Sequence, residues 1–278
     1  MKRPETQKGF TLVELAIVMT IIGLLIGGIL KGQELMENAR VTSTISQVKA
    51  YEAATTTFRD SFNAFPGDMP NAQNRVPNCN ANCDPPAASR GNSIIGAPGW
   101  AAGGYAIQLP VAGMTNPPAA AGDETQLYWI HLLQSDLISG VTDAAIQAVT
   151  VPSWGITHPT AKIGGGFVVG YGDGTAGLGM PAVTVGPAGT TLVMTTAPNT
   201  LMDATAAANG QRPLSPSRAA QIDRKMDDGK PGAGFVQAWG FQGAAAAGAD
   251  ICIDNVAPPN YFEANTAKSC GLIFRIQG

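Results

Sequence analysis

Hydrophobic positions along this chain follow three successive rhythms. From Phe10 to Leu30 there are 21 consecutive positions with one charge, Glu14. Beyond Lys31 the apolar residues thin to a stripe at Val41, Ile45, Val48, Tyr51, Thr55, Phe58 and Phe62, in steps of three and four, the spacing of one helical face. No breaker separates the two patterns, so a single helix is expected from Phe10 to about Asn63. There Phe65-Pro66-Gly67-Asp68 and Pro70 supply turn chemistry and remove a backbone donor. That helix would measure about 80 Å at 1.5 Å per residue, longer than a compact core requires.

The third rhythm is short elements among loops. Asp123 and Gln126 form a capping pair for a helix from Glu124 to about Ser139, with Leu127, Ile130, Leu133 and Leu137 inward and Gly140 as its stop. Ser215 as cap and Pro216 at the first position predict a second helix over Pro216 to Met226, closed by Asp227-Asp228-Gly229. Segments rich in Val, Ile, Phe and Thr predict strands at Gly166 to Tyr171, Thr190 to Thr195, Phe235 to Trp239, Ile251 to Ile253 and Leu272 to Ile276. Together they predict an α+β fold in which a long N-terminal helix packs on an antiparallel sheet.

Charge gives the first helix a setting. Lys2, Arg3 and Lys8 precede the apolar run and Lys31 follows it. The run is long enough to span a bilayer, which takes about 20 residues. The basic residues ahead of it favour a cytoplasmic N-terminus with the remainder outside. A secretory signal would place small residues and a cleavage site after the run, but Gly27, Gly28 and Ile29 continue into Leu30-Lys31-Gly32-Gln33-Glu34, so the helix is expected to be retained. Only 13% of the chain is charged and the net charge is −3, which offers nucleic acid no basic surface. Gly and Pro number 34 and 20, so loops should be extensive.

Four cysteines, Cys79, Cys83, Cys252 and Cys270, suit disulfides in an exported chain. Of the three connectivities, Cys79 to Cys83 with Cys252 to Cys270 closes the shortest loops; buried free thiols are the alternative. Neither His131 nor His158 has zinc-ligand spacing from a cysteine pair.

The segment Lys8-Gly9-Phe10-Thr11-Leu12-Val13-Glu14-Leu15, followed by the apolar run, resembles the class III leader of type IV pilins and type II secretion pseudopilins. The resemblance implies that prepilin peptidase cuts between Gly9 and Phe10 and that the Phe10 amine is methylated. It implies a leader at 1–9, a helix at 10–63 whose 10–30 part is transmembrane and then filament core, and a head at 64–278 with a disulfide-bounded C-terminal loop. Glu14 would meet a neighbouring subunit's Phe10 amine, while Gly23 and Gly27, at small-xxx-small spacing with Gly28 beside them, would let helices approach closely. The implied partners are like subunits, the peptidase, the inner-membrane assembly machinery and, before assembly, lipid. The implied locations are the inner membrane and then a periplasmic or cell-surface filament (a fimbrium). Phe65 to Met69 and Ile222 to Gly232 are also similar to segments of large prepilin-like proteins.

A search for catalytic constellations finds none, so a structural subunit without enzymatic activity is the first expectation, and the large head favours a minor or specialised one. Gly164-Gly165-Gly166 lacks the lysine of a phosphate loop. Gly172-Asp173-Gly174 and Asp227-Asp228-Gly229 read as turns that can also offer oxygens to calcium, neither supplying a full ligand set. A tip adhesin is the rival reading, with Trp100, Tyr105, Trp154 and Tyr171 as recognition residues; a membrane-anchored enzyme is the remote one.

Overall fold

A computed structural model describes residues 11–85, 87, 90–96, 124–142, 152–173, 187–198, 212–243, 251–254 and 256–276. It divides into two compact units, Met1–Arg40 and Val41–Gly278.

Helix α1 runs from Leu12 to Phe62, 51 residues. Within the second unit it buries Val41, Thr44, Val48, Tyr51, Ala54, Thr55 and Phe58, the face that the apolar stripe marks. It stops where Asn63 turns left-handed, at φ 48°, one residue before its expected end. The expected start, Phe10, lies outside the described residues. After the turn come a short helix α2, Ala72–Arg75, and a 3-10 turn, Ala81–Cys83, neither of which has enough length to show periodicity.

Helix α3, Glu124–Gln134, ends five residues before the expected Ser139. Ser135 donates its hydroxyl to the carbonyls of His131 and Leu132, and Asp136 adopts φ 56°, so local side-chain bonding stops the helix before Gly140. Asp123, its expected cap, lies outside the described residues. The helix is not one-sided either: Leu127, Tyr128, Trp129, Ile130, His131 and Leu132 are all buried, while Leu133 is half-exposed.

Strands β1 (Gly166–Asp173), β2 (Ala188–Thr195), β3 (Val236–Gly240) and β6 (Cys270–Arg275) form one antiparallel sheet in the order β1-β2-β6-β3. Two short strands, β4 (Gln242–Gly243) and β5 (Ile253–Asp254), pair in parallel in a second ladder. The segment expected as a strand at Ile251 to Ile253 therefore does not join the main sheet. Cys252 bonds the Phe241 carbonyl and is bridged to Cys270 at the start of β6, which holds the segment beside the sheet instead.

Period-two alternation sorts the sheet's side chains. Phe167, Val169, Leu192, Met194, Leu272, Phe274, Val236 and Ala238 share one cluster with Val48, Tyr51, Phe58 and Trp129. Tyr51 sits at its centre, edge-on to Trp129 at 5.2 Å and to Phe167 at 5.5 Å. On the other face Val168, Val193, Ile273 and Trp239 form a second cluster with Trp154 packed against it. A Cβ at Gly271 would fall 2.0 Å from the Trp239 indole, and one at Gly166 would fall 2.5 Å from Trp154, so these glycines make room for flat rings.

Helix α4, Pro216–Met226, matches its expected bounds, but Ser215 makes no side-chain capping bond. Its hydroxyl pairs with Ser217 at 3.2 Å, and its carbonyl takes the amides of Arg218 and Ala219. Disulfides join Cys79 to Cys83 and Cys252 to Cys270, with Cα separations of 5.7 and 5.0 Å.

Because Phe58 is fully buried where α1 meets the core, Phe58→Ala should destabilise the fold by roughly 3 to 5 kcal/mol. Denaturant unfolding of the detergent-solubilised chain measures this; a loss within error of zero would contradict the packing described.

Candidate functional site

Every residue from Thr11 to Met36 is exposed, including Leu12, Val13, Leu15, Ile17, Val18, Leu24, Leu25 and Leu30. This part of α1 is long and apolar enough to cross a membrane. Several of its polar side chains bond within the helix. Thr20 donates its hydroxyl to the Ile17 carbonyl at 2.8 Å, and Lys31 pairs with Glu34 at 2.6 Å just beyond the apolar run.

The start of the helix is a closed device. Thr11 donates both its amide and its hydroxyl to Glu14 Oε2, each at 2.9 Å, and the Glu14 amide returns a bond to Thr11 Oγ1 at 3.3 Å. This is a capping box, in which the first and fourth residues each satisfy the other's backbone donor. Thr11 is the functional residue that reading the leader passed over, although Thr-x-x-Glu ahead of an apolar run is its sequence signal. Gly9 and Phe10 lie outside the described residues. At Gly23, Gly27 and Gly28 an added Cβ would meet nothing within 4 Å, so the protomer itself leaves the space over these glycines open.

The other singled-out residues serve the head. His131 accepts the Gly67 amide at Nδ1 and bonds the Cys83 carbonyl through Nε2, both at 2.9 Å, tying the turn after α1 and the first disulfide loop to α3. Burial lowers its pKa to about 4. His158 is buried beside Trp129 and Trp154, bonds Thr157 Oγ1, and is lowered by burial to about 3. Among the described residues, neither imidazole belongs to a metal-ligating set. Gly67 has φ 87° and lies so close to α3 that a Cβ would stand 2.4 Å from the Glu124 carbonyl. Asp68 next to it is buried and receives the amides of Gly91, Asn92 and Ser93.

Asp223, Asp227 and Asp228 converge, with one oxygen of each within 4.8 Å of the others. The expected pair thus gains a third member from α4. Carboxylates so grouped have the chemistry of a hard-cation site, yet each already holds chain segments. Asp223 accepts from Tyr261 Oη at 2.8 Å and from the Gly229 amide at 3.2 Å. Asp227 takes the amides of Phe235 and Val236 at the start of β3, and Asp228 takes that of Lys230. Burial pushes Asp223 up to about 7, against the lowering effect of its bonds from Tyr261 and Gly229. The side chain of Asp173, and Gly174, lie outside the described residues.

Of the four aromatic residues considered for recognition, Trp100 and Tyr105 lie outside the described residues. Trp154 covers Gly166 and donates its indole N–H to the Thr196 carbonyl at 2.7 Å, a packing role. Tyr171 is half-exposed near the end of β1.

Residues 6–30 match the family described as Prokaryotic N-terminal methylation motif. No curated protein and no solved structure matches the chain. The matched stretch contains Gly9 and Phe10, the expected cleavage and methylation positions, together with the capping box and most of the exposed apolar helix, and it supports a type IV pilin-like or pseudopilin precursor anchored in the membrane.

The raised Asp223 pKa sets a direction for stability. The folded state binds this proton more tightly than the unfolded chain, so the contribution is full below the ordinary carboxylate range and is lost as pH rises through about 7. Asp223→Asn removes that dependence. Its stability relative to the native chain should improve by roughly 2 to 4 kcal/mol between about pH 4 and about pH 8. Parallel unfolding curves check this, and a pH-independent difference would contradict it.

Proposed function

We propose that this protein is a structural subunit of a type IV pilus or pilus-like secretion filament, cut by prepilin peptidase between Gly9 and Phe10 and polymerised through α1. One observation carries the reading: a helix that is exposed from Leu12 to Met36, and that carries a single charge, Glu14, from Leu12 to Leu30, begins within the matched methylation motif. Such a surface needs lipid before assembly and other helices after it.

Glu14 is the chemical centre of this mechanism. A carboxylate inside a membrane helix costs roughly 2.5 to 3.5 kcal/mol on insertion scales. The Thr11 hydroxyl and amide offset part of this cost by bonding Oε2. Cleavage creates a cationic amine on Phe10, and a neighbouring subunit's amine pairs with the Glu14 carboxylate as the subunit enters the filament. Gly23 and Gly27 then let neighbouring backbones come close, a contact dominated by packing. The segments follow as a leader at 1–9, an assembly helix at 10–63 and a head at 64–278, and no catalytic step is assigned to the head. Its size favours a minor or specialised subunit over the bulk of a shaft. In a type II secretion system the same mechanism would build a periplasmic pseudopilus.

Two measurements test the reading. Mass spectrometry of the mature chain from cells should find an N-methylated Phe10 as its first residue; material still beginning at Met1 would sink the proposal. Glu14→Ala should insert into the membrane normally and reduce filaments recovered by shearing by at least about tenfold, and normal assembly would remove Glu14 from the mechanism.

A further inference from the structure

The head carries a cleft that neither its anchoring nor its assembly explains. It has a volume of about 410 Å³ and opens where the turn after α1 meets the ends of β1, β2 and β6, with Phe65, Ser93, Tyr171, Thr190 and Arg275 among its lining residues. That volume falls in the range of small-ligand sites, roughly 300 to 1,000 Å³.

Its two walls are built differently, and both are held in place. On one side Ser93 has φ 62°, a conformation uncommon for a residue with a side chain. It is kept there by the buried carboxylate of Asp68, which takes its amide at 2.7 Å and those of the two residues before it. Phe65 on the same side is fixed by Arg59, whose guanidinium lies 4.5 Å over the ring. On the other side Tyr171 and Thr190 face each other across the β1–β2 ladder, and the Thr190 carbonyl is bonded by the Ile276 amide. A ligand would meet positioned groups, with little ordering cost on binding.

The chemistry offered is specific in kind. Phe65 and Tyr171 are half-buried, so each combines an accessible ring with a packed base. Ser93, Thr190 and Tyr171 supply hydroxyls that can donate or accept. Among the described residues, the lining Arg275 has no carboxylate partner, and no lining residue is acidic. Flat apolar rings beside several hydroxyls suit the faces and edges of a sugar ring, and guanidinium groups suit a carboxylate in a bidentate manner.

We propose that this cleft binds an acidic saccharide, with its ring on Tyr171 or Phe65 and its carboxylate toward Arg275. The site gives the head a recognition role independent of how the subunit is anchored.

The test is titration of the full chain in detergent micelles with a galacturonic acid trisaccharide, read by calorimetry and by saturation-transfer NMR. A neutral galactose trisaccharide and an acidic tripeptide run in parallel. Saturable binding is expected for the acidic sugar, weakened about tenfold or more by Arg275→Gln and by Tyr171→Ala. Ser93→Gly removes a hydroxyl at a φ that glycine tolerates; it should weaken binding several-fold with the unfolding midpoint unchanged, which keeps the test valid if Tyr171→Ala misfolds. Absence of binding at millimolar saccharide, equal or better binding of the neutral sugar or the peptide, or indifference to all three substitutions overturns the proposal.

Discussion

Apolar surface that its own chain does not cover is the constraint on which this protein is organised. From Leu12 to Met36, α1 presents Leu, Ile, Val and Met side chains outward without burying one of them. A soluble helix of that composition would aggregate, and a core helix of that composition would be enclosed. What remains is a helix whose environment is supplied from outside, by hydrocarbon and, in the proposed filament, by similar helices. The backbone can accept either environment because every amide beyond the first turn is bonded within the helix, and at the first turn Thr11 and Glu14 bond each other.

The head solves the opposite problem. It has few charges and many glycines and prolines, so its loops cannot be anchored by networks of ion pairs. Single buried polar side chains do that work. Asp68 gathers the three amides of residues 91–93, His131 joins the Gly67 turn to the Cys83 loop, and Asp223 joins α4 to Tyr261. Each is itself buried, where an unmade bond is costly, so each fixes one loop conformation. The glycines at 166 and 271 complete the arrangement by admitting Trp154 and Trp239 flat against the sheet.

Much of this was legible in the residues, for reasons that differ by region. The long helix, its end near Asn63 and its buried stripe were readable because 3.6-residue periodicity persisted for many turns. The α4 bounds followed from Pro216 and the Asp-Asp-Gly stop, and four of the five strand segments found their sheet through β-branched and aromatic runs. The end of α3 was misread, since Leu137 continues the spacing while Ser135 bonds backwards and Asp136 turns left-handed. Ile251 to Ile253 looked like a strand of the main sheet, but its position is set by a bridge to Cys270 and by the Phe241 carbonyl, contacts that local pattern does not encode. Asp223 joined Asp227 and Asp228 for a similar reason, because α4 delivers it from one helical turn earlier.

The order of strands in the sheet has a consequence for how the protein is made. β6, the last of the described strands, lies between β2 and β3, and it is also joined to Cys252 through Cys270 and pairs with Leu214. No two of the earlier main-sheet strands apart from β1 and β2 can complete their ladders until residues 270–275 arrive. Cooperative closure of the four-stranded sheet therefore waits for residues 270–275 and rests on long-range pairings that form slowly.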